Sequence, residues 1–224
     1  MVHALQRMGV PVTALQPLGW RDMEVTKRLR DDLAGSVAAI RAAMAAFRPS
    51  LLCVPALRDS HPDHGAVHVL CRLALAGQEL APLLLSYAVH GATGTCADAL
   101  SPAASPARQQ RKLAALAEYR SQLALSRRRM LRLANSPERY MRVHGQAQGG
   151  RLPWRPPALL RPRLRLLLAT PAGVRDWLWP EAPLERENAG TWRLRQAGAG
   201  PAFVKLHLDW RSPWIFDHWG WWQA

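Results

Sequence analysis

The chain has 224 residues, 49% of them apolar and 21% charged, a globular balance with room for one good core and a small addition. Its formal net charge of +14 invites a nucleic-acid reading until the charges are located: residues 104–165 hold 15 Arg or Lys against 2 acids, and the rest of the chain 15 against 14. No run of eighteen apolar residues is present to span a membrane, and three scattered cysteines are too few for a disulfide framework.

Taken from the N-terminus, an apolar stretch over residues 10–15 and a turn at Leu18-Gly19-Trp20 precede a helix expected over 33–47. Leu51-Leu52-Cys53-Val54-Pro55 is short and shows no alternation, which predicts a parallel strand covered on both faces. Pro62 suits the first turn of a helix, and Ala66, Val67, Val69, Leu70, Leu73 and Leu75 follow at helical spacing. Residues 83–89 read as the next strand. Each parallel strand needs a crossover helix, and this order supplies them.

Residues 91–107 read as a loop and 109–134 as one helix. From about Leu152 the character changes: residues 164–169, 175–179, 191–194 and 203–208 are strand-like, separated by Pro, Gly or Asn turns, and this part holds nine of the ten tryptophans. The expected fold class is therefore α/β with a mostly parallel sheet, plus a small C-terminal β-rich appendage. The expected boundary separates a domain over residues 1–145 from a Trp-rich appendage over 146–224.

The densest chemistry lies in Asp59-Ser60-His61-Pro62-Asp63-His64, where two imidazoles and two carboxylates follow a strand and open a helix. In open α/β sheets ligands bind at the carboxyl ends of strands. His64 and His68 are four apart on one helix face, although no Glu accompanies them in a His-Glu-x-x-His arrangement, so one true ligand among several histidines is the expectation. His90 ends the neighbouring strand, while His207 and His218 carry no motif.

Pro55-Ala56-Leu57-Arg58-Asp59-Ser60-His61-Pro62-Asp63-His64-Gly65-Ala66 resembles the second conserved motif of the LmbE-like (PIG-L) N-deacetylases, zinc-dependent hydrolases of N-acetylated sugars. Weaker likenesses at Leu18 to Asp22, Tyr87 to Gly91, Lys112 to Leu116 and Tyr119 to Gln122 extend the resemblance over about residues 5–145. It implies a Rossmann-like three-layer sandwich, with His64 as zinc ligand and His61 as the catalytic side chain that stabilises the oxyanion or protonates the leaving amine. Asp63 is implied as a catalytic-site carboxylate orienting an imidazole, with Asp59 in the same role or holding the loop. The family's His-Pro-Asp-Asp-Glu motif occurs nowhere in the chain. That absence implies a missing first strand, an incomplete zinc site and impaired hydrolysis of the N-acetylated sugar or glycoconjugate.

Two other classes compete. The closing Trp214 to Trp222 segment could stack on a glycan above an inactive scaffold, the plainer alternative being a tryptophan-filled core. The basic segment could bind nucleic acid, but only three of its 30 basic side chains chain-wide are lysine and no recognition motif accompanies them, so a solvated face is preferred. Cys53, Cys71 and Cys96 read as small buried hydrophobes of a reducing compartment, and with no leader pattern in the first residues a cytoplasmic location is expected.

Overall fold

The structure, a computed structural model, describes residues 2–90, 99–103, 105–145, 149–187, 190–195, 200–208 and 219–224. In chain order its helices are α1 (Val2–Arg7), α2 (Val25–Asp31), α3 (Leu33–Phe47), α4 (Pro62–Leu75), α5 (Pro106–Ala117) and α6 (Arg120–Asn135). The first strands are β1 (Leu51–Pro55), β2 (Leu83–Tyr87), β3 (Met141–Arg142) and β4 (Arg151–Leu152). Then come β5 (Leu164–Thr170), β6 (Gly173–Leu178), β7 (Leu184–Arg186), β8 (Trp192–Leu194), β9 (Phe203–Leu208) and β10 (Trp221–Gln223).

Where the sequence suggests a boundary near residue 145, the chain forms two discontinuous units: Met1–Gly19 with Gly94–Met141, and Trp20–Thr93 with Arg142–Ala224. In the first unit α1 packs on α5, and α5 on α6, through the buried alanines Ala4, Ala115 and Ala134. An Arg7–Glu118 ion pair at 3.0 Å ties α1 to the end of α5. The helix expected over 109–134 is two helices, broken at Glu118 and Tyr119. The apolar stretch over residues 10–15 contains a single 3-10 turn, Val12–Ala14. Pro11 offers no N–H to a ladder, and Val12 is 40% exposed.

In the second unit the helix limits follow local chemistry. Asp32 caps α3 by accepting the Gly35 N–H at 3.1 Å, and the left-handed Arg48 (φ 48°) ends it before Pro49. Pro62 opens α4 as its composition predicts. β1 and β2 pair in parallel, Leu51 opposite Leu83 through Pro55 opposite Tyr87, with β3 on the far side of β2.

That pair is as far as the expected parallel fold extends. The largest sheet is antiparallel, in the order β10-β9-β5-β6, and a third sheet, β4-β8-β7, is antiparallel as well. A Rossmann-like three-layer sandwich with a mostly parallel sheet is therefore not the fold. Nor is β1 covered on both faces, since Leu51 is 48% exposed and Cys53 is exposed too. Cys71 is buried as expected, and Cys96 lies outside the described residues.

The strand buried on both faces is β5. Leu167 and Ala169 face a core shared with Leu29 of α2, Ile40 of α3, Leu70 of α4 and Val54 of β1. Leu164, Leu166 and Leu168 face a second core closed by Leu152, Trp179, Leu194 and Leu206. The β-rich C-terminal part is thus one wall of the core that holds α4, and Trp221 of β10 reaches that helix at 1% exposure. A Cβ placed on Gly65 would stand 2.5 Å from the Trp221 indole and 2.9 Å from the Leu57 carbonyl oxygen. Only glycine admits this approach.

Gly65→Ala is expected to destabilise the protein by about 1–3 kcal/mol through overpacking, and Trp221→Ala by about 3–5 kcal/mol through the cavity left. Urea unfolding of the two variants and the double variant measures both. Because Trp221→Ala removes the clash with the indole, though not that with the Leu57 carbonyl, the double variant should cost less than the sum.

Candidate functional site

The candidate residues gather where β1 and β2 end. After β1 the loop is stitched to the end of β2 by backbone bonds from Ala56 N–H to the Tyr87 carbonyl (2.7 Å) and from Ser60 N–H to the His90 carbonyl (3.2 Å). At the centre lies Asp59, 2% exposed. Its Oδ1 accepts the His61 N–H at 2.9 Å, and its Oδ2 accepts the N–H groups of Val89 (2.8 Å) and His90 (3.0 Å).

His64 Nδ1 lies 3.1 Å from the same Oδ2, close but off the line of a good hydrogen bond. Burial pushes the Asp59 carboxyl towards the neutral form. The His64 contact and the three backbone N–H groups outweigh that and hold it well below the usual carboxylate range. The loop thus encloses a permanent anion.

Three imidazoles surround it. The rings of His61 and His64 stack with centroids 4.6 Å apart, and His90 stands 5.5 Å from the first and 5.3 Å from the second. His61 caps α4, its Nδ1 accepting the Asp63 N–H at 3.3 Å. That bond needs the lone pair on Nδ1, so a neutral His61 carries its proton on Nε2. A donor so placed suits a developing oxyanion or a departing amine. His61 Nε2 is 3.9 Å from Asp22, a loose contact with a carboxylate whose side chain is 87% exposed.

Asp63 is placed otherwise than beside an imidazole. It is 6% exposed, and its two oxygens accept the N–H groups of Met23 (2.6 Å) and Val25 (3.0 Å), which anchors the start of α2. The first of these bonds supports the left-handed backbone of Met23, φ 64°. His68 is also set apart, with its Nδ1–H donating to the Pro55 carbonyl at 2.8 Å and its ring edge towards Phe203. Burial holds that imidazole neutral, its pKa lowered to about 4.

His90 is the residue that sequence spacing undervalues, thirty positions from the motif. The signal that finds it is the parallel pairing of β1 and β2, which brings both strands' carboxyl ends to one edge. His207 pairs with Asp176 at 3.2 Å within the antiparallel sheet, and His218 lies outside the described residues. The described tryptophans serve the fold: Trp221 and Trp179 are buried, Trp154 Nε1 donates to the Trp219 carbonyl, and Trp222 Nε1 donates to the Arg151 carbonyl. Trp214, central to the glycan-platform alternative, lies outside the described residues.

Two acid transitions follow. His68 takes up its proton in the unfolded chain near pH 6.5 but in the folded one only near pH 4, so stability should fall by about 3 kcal/mol as pH drops through that window. His68→Gln, which keeps an N–H donor, should flatten the slope in urea titrations between pH 7 and 4. Asp59 acts lower: its depressed pKa supplies stability that is complete above about pH 4 and is lost as pH falls further. Asp59→Asn should remove that lower slope and cost about 1–3 kcal/mol at pH 7 through amides left without an acceptor. Among the comparisons with known proteins, no family model matches the chain, and no curated protein or solved structure matches it either.

Proposed function

We propose that the Asp59, His61, His64 and His90 cluster is the reactive centre of a hydrolase cleaving the acyl C–N bond of an N-acetylated amino sugar or glycoconjugate. This is the chemistry of the LmbE-like N-deacetylases that residues 55–66 resemble. The observation that carries it is the buried Asp59 carboxylate, fixed by three backbone N–H groups and set 3.1 Å from His64 Nδ1 at the strand edge. A carboxylate this close to Nδ1 favours the ring orientation that keeps that nitrogen towards it and turns Nε2 away.

His64 suits zinc for the same reason: its Nδ1 is buried against Asp59, which leaves Nε2 as the ligating nitrogen. Zinc bound there would polarise the acyl carbonyl and lower the pKa of bound water. Among the described residues no three His, Cys, Asp or Glu side chains are grouped to hold an ion. His64 is therefore assigned as one ligand and the rest of the set is left unassigned, so zinc affinity and turnover of this chain are expected to be low. His61 offers its Nε2–H to the acyl oxygen or the leaving nitrogen. Asp59 keeps His64 in register while holding the two strand ends together. Asp63 acts on the site only through the start of α4.

Zinc titration by calorimetry and acetate release from an N-acetylglucosamine conjugate in excess zinc test the reading together. His64→Ala should weaken zinc binding by tenfold or more, and Asp59→Asn by about 10–100-fold. His61→Ala should leave zinc binding unchanged while lowering acetate release about 10²–10⁴-fold. Zinc bound equally by wild type and His64→Ala, with acetate release unaffected by either histidine variant, would sink it.

A further inference from the structure

The first unit contains a groove of about 740 Å³, none of whose lining residues belongs to the histidine cluster. That volume lies in the range of small-molecule sites. Its walls are mainly apolar, with Met8 of the segment after α1, Pro102, Pro106 at the start of α5, and Pro137 after α6. Prolines hold such walls in shape without rotamer freedom to lose on binding.

The charged lining is three basic side chains and one acid, Glu138. Arg108, Arg111 and Lys112 fall at i, i+3 and i+4 of α5, and all three line the groove. Like charges at that spacing repel, and the first turn of α5 has no acid to offset them. Lys112 is balanced by Glu138 at 3.0 Å. Arg108 makes only a long bond, 3.5 Å, to the Ala103 carbonyl, and no hydrogen bond or ion pair is found for Arg111 among the described residues. Two of the neutral lining groups are already engaged: Gln109 donates to the Ala134 carbonyl and to the Asn135 side-chain oxygen, and Ser136 donates to the Arg132 carbonyl. Of the charged groups, two guanidiniums are left without a carboxylate, and they only donate, beside an apolar wall.

We infer that this groove binds an amphiphilic anion, a carboxylate or phosphate headgroup held by Arg108 and Arg111 with an apolar body laid against Met8 and the prolines. Guanidinium forks match both headgroups bidentately, so the two share one recognition chemistry. An apolar-walled groove distinguishes this ligand from a nucleic acid, whose phosphates would need only the exposed cations.

Calorimetry on the full chain with octyl phosphate, octanoate, octyl glucoside and inorganic phosphate, each below its micelle concentration, tests the inference. Octyl phosphate or octanoate should bind at least tenfold more tightly than the neutral glucoside and than inorganic phosphate, and the stronger of the two identifies the headgroup. The Arg108→Ala/Arg111→Ala double variant should weaken that binding at least tenfold while its unfolding temperature stays unchanged, because neither side chain makes a strong bond in the fold. Met8→Ser should weaken the octyl ligands and leave inorganic phosphate as it was. Equal binding of the glucoside, equal binding by the double variant, or displacement of octyl phosphate by a short oligonucleotide at lower concentration would each overturn it.

Discussion

The site loop depends on one buried charge. Asp59 has almost no contact with water, yet stays ionised because the chain surrounds it with N–H groups from His61, Val89 and His90. These donors come from two segments that are distant in sequence, so satisfying the carboxylate and bringing the ends of β1 and β2 together are the same event. A buried ion held by charge-assisted hydrogen bonds is costly to leave unpaired, which makes this local geometry strongly specified. The convergence of His61, His64 and His90 follows from it.

A second constraint fixes the helix that carries two of those histidines. At Gly65, in the first turn of α4, the backbone lies against Trp221 of β10, near the C-terminal end of the chain. The antiparallel sheet therefore supports the histidine cluster from below, and α4 cannot turn or slide without moving an indole from the core. Asp63 adds a third fixing point, since it spends its carboxylate on the start of α2. The carboxylate that looks most available for catalysis in the motif is thus bound into the scaffold, whereas Asp59 touches the imidazole.

Much of the local structure could be read directly. The limits of α3, β1 and β9, and the opening of α4 at Pro62, follow from capping residues, proline positions and apolar runs whose causes lie within a few residues. The sense of the sheet could not be read this way. An unbroken apolar run signals burial on both faces, and β5 has that burial inside an antiparallel sheet. β1, with a similar run, pairs in parallel but leaves Leu51 and Cys53 exposed. Apolar content reports how much of a strand is covered, not which strand does the covering or in which direction it runs.

The same division holds for the chemistry. By itself the sequence determined that His61 and His64 would stand at a strand-to-helix turn with carboxylates near them, because Pro62 and the helical spacing after it are local causes. It also determined that the positive charge is confined to one segment. Only the tertiary structure decided that His90 joins the cluster, that Asp59 rather than Asp63 meets His64, and that Trp221 serves as core beneath the motif. Each of those outcomes rests on contacts between residues tens to well over a hundred positions apart, where long-range packing and the satisfaction of buried polar groups override local preference.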